Sequence, residues 1–147
     1  MCIIIKIDIR TFMFSIHHVA LSVKDIEKSI KFYAQFGFKE AYRWASDNGE
    51  LQIAHLKLGE TFLELFCFQA YQEAPNSSKE LMSDLPRIGV KHFGLKVKSI
   101  HETKQWLIDG GYKDEIEIIR GKTEVDYFFI KDPDGILLEF IQDDRGV

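Results

Sequence analysis

The sequence predicts an α+β fold built from tandem βαβββ modules, and two observations carry that expectation. The first is an internal repeat. Shifting the chain by 74 residues lays HVALSVKDIEKSIKFYAQFGFK (18–39) on HFGLKVKSIHETKQWLIDGGYK (92–113). Seven positions are then identical: His18/His92, Leu21/Leu95, Val23/Val97, Lys24/Lys98, Ile26/Ile100, Gly37/Gly111 and Lys39/Lys113. Self-similarity at a fixed offset marks a duplicated supersecondary unit. The second observation is periodicity. Each copy begins with apolar–polar alternation, passes to an apolar face spaced for a helix, and returns to three alternating segments.

Module one covers 14–68. Its first strand is expected at 16–23, with Asp25 as the N-cap of a helix whose apolar face holds Ile26, Ile30, Phe32 and Tyr33. Gly37 ends that helix. Strands near 39–45, 51–58 and 61–68 follow, the first two joined by SDNG (46–49) turn chemistry. Module two covers 90–142 on the same plan. It has a strand at 90–97, Ser99 as N-cap, a helix with Ile100, Trp106 and Leu107, a stop at Gly110-Gly111, and strands near 114–119, 124–131 and 136–142, with DPDG (132–135) as the last turn. The linker 69–89 is polar, is broken by Pro75 and Pro86, and has room for a short helix. Together these make one domain over 14–142. Residues 1–13 read either as an N-terminal extension or, through IIIKIDI, as an added edge strand; Lys6, Asp8 and Arg10 interrupt any signal-peptide core.

Composition narrows the function. The chain has 147 residues, 46% of them hydrophobic, which suits one domain with a real core. A net charge of -4 with no basic stripe argues against nucleic acid as a partner. No run approaches the roughly 18 apolar residues of a membrane span, so no membrane partner is expected. Two cysteines, Cys2 and Cys67, give no disulfide framework and fit a cytoplasmic location. Cys67 lies in an apolar run and reads as a small buried hydrophobe.

Strand parity then selects residues. In the first strand Val19, Leu21 and Val23 share the face toward the helix, while His18, Ala20 and Ser22 share the other. Module two repeats this with Phe93, Leu95 and Val97 against His92, Gly94 and Lys96. In FLELFCF, Glu64 stands on one face with Phe62, Phe66 and Phe68. In ILLEFIQ, Glu139 stands with Leu137 and Ile141. His18 precedes Glu64 by 46 residues and His92 precedes Glu139 by 47, so a His…Glu pair occurs twice. A carboxylate inside an apolar run must be neutralised, paired or bound to metal. Two imidazoles and two carboxylates suit one divalent cation, with Ni, Zn, Co, Fe and Mn all compatible. By the same parity, Phe62, Phe66, Leu137, Ile141 and Phe129 line an apolar pocket. His17 reads as incidental, His55 as a surface residue beside Lys57, His101 as a helix-turn residue, and Lys96 as a rim cation.

The segments HHVALSVKDIEKSIKFY, FLELF, KHFGLKV and DPDGILLEF, in that order over about 14–142, resemble the vicinal oxygen chelate superfamily. The resemblance implies a cupped eight-stranded mixed sheet, the glyoxalase/bleomycin resistance/dioxygenase fold, holding a metal. Its His-Glu-His-Glu set is similar to that of glyoxalase I, a lactoylglutathione lyase. By that likeness His18, Glu64, His92 and Glu139 are the metal ligands. Glu139 is the base, and Glu64 is a ligand that shares in catalysis. The implied reaction is proton transfer alpha to a carbonyl through a metal-bound enediolate, on a hemithioacetal of a 2-oxoaldehyde and a thiol. A homodimer is implied by analogy. The distance from Glu64 to His92 leaves open whether the site forms within one chain or across that dimer. Three departures matter. Glu64 stands where methylmalonyl-CoA epimerase has Gln, Ala20 where fosfomycin resistance enzymes have Thr, and Ser22 where bacterial glyoxalase I carries an Arg for the glutathione carboxylate. The thiol is therefore open. The competing expectations are an epimerase-like isomerase and a non-catalytic drug-binding protein like the bleomycin-binding relatives.

Overall fold

A computed structural model describes residues 13–146; the N-terminal segment, apart from Met13, lies outside them. The strands are β1 (His18–Ser22), β2 (Lys39–Ala45), β3 (Leu51–Leu58), β4 (Thr61–Phe68), β5 (Phe93–Lys96), β6 (Ile119–Arg120), β7 (Asp126–Lys131) and β8 (Leu137–Gln142). Two principal helices follow the first strand of each module: α1 (Ile26–Ala34) and α3 (Ile100–Asp109). A four-residue helix α2 (Leu81–Asp84) and a 3₁₀ turn (Asn76–Ser78) occupy the linker.

Local chemistry accounts for the helix ends. Asp25 Oδ1 accepts from Lys28 N at 3.0 Å, and Ser99 Oγ accepts from Glu102 N at 3.2 Å, so both N-caps form as expected. Gly37 and Gly111 adopt φ of 91° and 72°, the left-handed conformation that ends each helix without a Cβ clash.

Three segments differ from expectation. The strands expected at 16–23 and 90–97 contract to His18–Ser22 and Phe93–Lys96, because Ile16 (73% exposed) and Val90 (82% exposed) lack a core to pack on. His92 thus stands immediately before β5 rather than in it. The strand expected at 114–119 is reduced to the two residues of β6. There Ile116 is buried and Ile118 half-buried, while Asp114, Glu115 and Glu117 point to solvent. The alternation is real, but it anchors an extended loop and not a ladder.

The eight strands form two four-stranded mixed sheets, ordered β1-β4-β3-β2 and β5-β8-β7-β6. β1 runs parallel to β4 and β5 parallel to β8, and all other pairs are antiparallel. Alternation decides which faces are buried. Leu63 and Leu65 of β4, Ala54 and Leu56 of β3, Phe128 and Ile130 of β7, and Leu138 and Phe140 of β8 point to the helix side and form one continuous core.

Helix α1 joins the two modules. Its Tyr33 ring meets Phe93 with centroids 6.1 Å apart, and Phe36, just beyond it, meets Phe140 at 5.4 Å and Tyr112 at 5.7 Å. The two helix-side faces are consumed in packing the modules together, and the opposite face of each sheet is left for other use. A buried polar clamp locks this arrangement. Tyr33 OH donates to Asp132 Oδ2 at 2.8 Å, while Asp134 N and Ile136 N donate to Oδ1 at 2.9 and 2.8 Å. Burial raises the Asp132 carboxyl above the usual range, and these three donors oppose it.

The sign of the pH effect follows. Because the folded value lies above the unfolded one, ionised Asp132 costs folding energy that is absent at low pH and grows as pH rises through the folded value. Tyr33→Phe removes one opposing donor. It should cost about 1–3 kcal/mol at neutral pH, and the gap from wild type should narrow toward about pH 3, where the carboxyl is protonated. Urea midpoints measured at several pH values check this. A gap that widens on acidification would be inconsistent with the clamp.

Candidate functional site

The first half of the site is set by strand register. The parallel β1–β4 ladder places Ala20 opposite Glu64 and His18 opposite Phe62. The tight β3–β4 hairpin pairs Leu58 with Thr61, and counting back along it places His55 opposite Glu64. His18, His55 and Glu64 therefore project from one face, flanked by Phe62 and Phe66. Glu64 is 19% exposed. Its Oε1 lies 2.9 Å from His55 Nε2 and its Oε2 lies 3.5 Å from His18 Nε2. The other ring nitrogen of His18, Nδ1, is 3.0 Å from His17 Nδ1, and the His17 ring stacks on Phe62 with centroids 5.1 Å apart.

The second half repeats the first, with Gly94 and Phe129 in the places of Ala20 and His55. Gly94 and Phe129 are both opposite Glu139. Glu139 is 16% exposed, and its Oε2 lies 3.1 Å from His92 Nε2. The His92 ring meets Phe129 edge-on at 4.8 Å. A Cβ at Gly94 would stand 3.3 Å from Glu139 Oε2. Leu137, buried, and Ile141, half-buried, flank the carboxylate on its own face.

The structure thus brings His18 to Glu64 and His92 to Glu139. It does not bring the two pairs together in a single chain: among the described residues no group of three or more His, Cys, Asp or Glu is placed to hold one ion. Each pair lies beside a sheet edge, because among the described residues β1 and β5 are terminal strands. Exposed apolar residues precede both edges, Phe14 and Ile16 before β1, Ile88 and Val90 before β5. An unpaired edge next to apolar side chains is a ready template for another chain. Clefts of about 750 Å³, between the modules, and about 900 Å³, beside the linker, open next to the pairs and not over them.

Two residues differ from their sequence reading. His55 is half-buried against Glu64 and is not a free surface residue, and His17 contacts His18. The signal for His55 was available: the turn at Gly59 sets the hairpin register, and that register leads to Glu64.

The donor chemistry fits a divalent cation. Imidazole nitrogens and carboxylate oxygens are its ordinary protein ligands. His92 Nδ1 is moreover buried without a hydrogen-bond partner, an orphaned donor or acceptor of the kind found where a ligand is expected.

Comparison with known proteins points in one direction. The family model described as the Glyoxalase/Bleomycin resistance protein/Dioxygenase superfamily matches residues 15–140. The chain is 31% identical to the uncharacterized protein YwbC of Bacillus subtilis, over 86% of this chain and 96% of that protein. A glyoxalase family protein from Enterococcus faecalis superposes with a TM-score of 0.72 at 26% identity, covering 89% of this chain and 99% of that one. The trypanothione-dependent glyoxalase I of Leishmania major superposes with a TM-score of 0.63 over 88% of this chain and 86% of that one; at 19% identity it speaks to the fold alone.

Proposed function

The chain belongs to the Glyoxalase/Bleomycin resistance protein/Dioxygenase superfamily, and we propose that it is a metal-dependent, glyoxalase I-like lyase whose site is completed by a second copy of the chain. One observation carries this reading: the His–Glu pair is duplicated, and each copy lies beside a strand that is terminal in its sheet among the described residues. In a symmetric pair, β1 of one copy meets β5 of the other, so that His18 and Glu64 face His92 and Glu139 of the second copy. An isologous interface forms two such sites at once.

His18, Glu64, His92 and Glu139 would hold a divalent ion, which when bound would supply Lewis-acid stabilisation of charge developing on substrate oxygens; Ni, Zn, Co, Fe and Mn all suit the set. The protein does the rest. Glu139 removes the proton alpha to the carbonyl and returns it to the neighbouring carbon. Glu64 serves as ligand and as a second carboxylate across the site. Phe62, Phe66, Leu137 and Ile141 exclude water, which strengthens the electrostatic terms. The substrate class is a hemithioacetal of a 2-oxoaldehyde and a thiol. Ser22 offers no charge for a glutamyl carboxylate, and the nearby Lys24 is paired with Glu73 at 2.8 Å, so glutathione is not the favoured thiol. With Cys67 free, the proposed location is the cytoplasm. Among the described residues no helix is long and apolar enough to cross a membrane.

Glu139→Gln keeps an acceptor for His92 but is no base. It should retain the metal and lower hemithioacetal turnover by about 10²–10⁴-fold, measured across several thiols with elemental analysis alongside. Full turnover would remove Glu139 from the role of base. Turnover of methylmalonyl-CoA in place of hemithioacetals would favour an epimerase, and tight ligand binding without metal or turnover would favour a binding protein.

Mixing tests the shared site. A chain carrying His18→Ala and Glu64→Ala and a chain carrying His92→Ala and Glu139→Ala should each be inactive. Refolded together, they should recover about a quarter of wild-type activity, since half the dimers are mixed and each mixed dimer holds one intact site of two. A site within one chain would leave the mixture inactive.

A further inference from the structure

The two halves of the site are not equivalent, and the difference sits at matched positions. His55 and Phe129 each stand opposite the module's carboxylate on the neighbouring antiparallel strand. The first is a hydrogen-bonding ring and the second is not. Ala20 and Gly94 occupy the matching place on the parallel strand. Glu64 therefore has two imidazole neighbours, and Glu139 has one among the described residues.

The two contacts on Glu64 differ in kind. At 2.9 Å, His55 Nε2 makes a full hydrogen bond to Oε1. At 3.5 Å, His18 Nε2 is within ion-pair reach of Oε2 without a close bond. A carboxylate oxygen accepts, so the His55 Nε2 carries the hydrogen in this contact. If His18 and His92 both turn toward an ion, Glu64 keeps its anchor on Oε1 while Glu139 keeps none.

We propose that His55 is a positioning residue: by holding Oε1 of Glu64 it presents Oε2 alone to the ion and makes Glu64 the fixed carboxylate of the pair. The inference rests on the metal-site reading above and goes beyond it, because His55 is not one of the four ligands of that reading and acts through Glu64. Partners that orient a ligand in this way typically govern affinity by 10–100-fold.

The test is equilibrium competition for Co²⁺ between the full-length protein and a chromophoric chelator, comparing wild type, His55→Phe, His55→Gln and His18→Ala. His55→Phe keeps the ring and copies the residue that module two has at this place; it should weaken Co²⁺ binding 10–100-fold. His55→Gln loses the ring but keeps a donor, and should recover most of the affinity and the wild-type Co²⁺ absorption spectrum. A packing role for His55 gives the reverse order. Wild-type affinity in His55→Phe, or a His55→Gln as weak as His55→Phe, overturns the proposal while leaving the metal site standing. Wild-type affinity in His18→Ala overturns the metal site itself, and the role of His55 with it.

Discussion

A carboxylate set between two large apolar side chains on the face of a strand, Phe62 and Phe66 about Glu64 and Leu137 and Ile141 about Glu139, is the constraint on which this protein turns. Glu64 and Glu139 gain nothing from the core behind them, which Leu63, Leu65, Leu138 and Phe140 already fill. Their partial burial is unfavourable unless something answers the charge. In both modules a histidine at the head of the parallel neighbouring strand comes within 3.5 and 3.1 Å, and in module one His55 adds a closer bond at 2.9 Å. A fold seeking stability alone would place a threonine or valine there. Twice keeping an acid and a base among apolar side chains is a cost that chemistry accounts for and packing does not.

The duplicated module explains how the carboxylate-bearing faces stay available. Each sheet has one face that packs and one that does not. The packing faces are spent on each other through α1, with Tyr33 and Phe36 reaching Phe93 and Phe140. Had the helix-side faces instead been covered only by their own helices, the modules would be tied by little beyond the linker. The Tyr33–Asp132 bond, buried and spanning 99 residues of sequence, ties α1 to module two in an arrangement in which β1 and β5 are the terminal strands among the described residues. The same packing that builds the core thus leaves each half-site at a boundary of the chain.

Much of this was legible in the sequence, and what was legible was local. The repeat, the caps at Asp25 and Ser99, the terminators Gly37 and Gly111, and the parity that put His18 with Glu64 all follow from interactions spanning a few residues or from the period of a strand. The segment 114–119 was misjudged because alternation reports which side chains face inward, and not whether a neighbour is present to complete a ladder; Ile116 and Ile118 satisfy the pattern from a loop. The separation of the two His–Glu pairs was not legible at all. Whether four ligands meet within a chain or between chains depends on how one module sits on the other, and aromatic contacts such as Phe36 with Phe140 decide that without leaving a periodic trace.

His55 lies between these cases. Its polar-side parity was visible, and parity alone cannot separate a surface histidine from one that holds a carboxylate. The hairpin register separates them, because the tight turn at Gly59 leaves one pairing. The duplicated frame then gives the comparison its force. Module two has the same strand order and the same carboxylate, yet carries Phe129 where module one carries His55, and Gly94 where module one carries Ala20. A gene duplication starts with two equal halves, and equal halves give two equal carboxylates. Proton transfer at a metal asks for unequal ones: a ligand that stays and a base that moves. The substitutions lie on the residues opposite the two glutamates, which is where the proposed division between a fixed ligand and a mobile base calls for them.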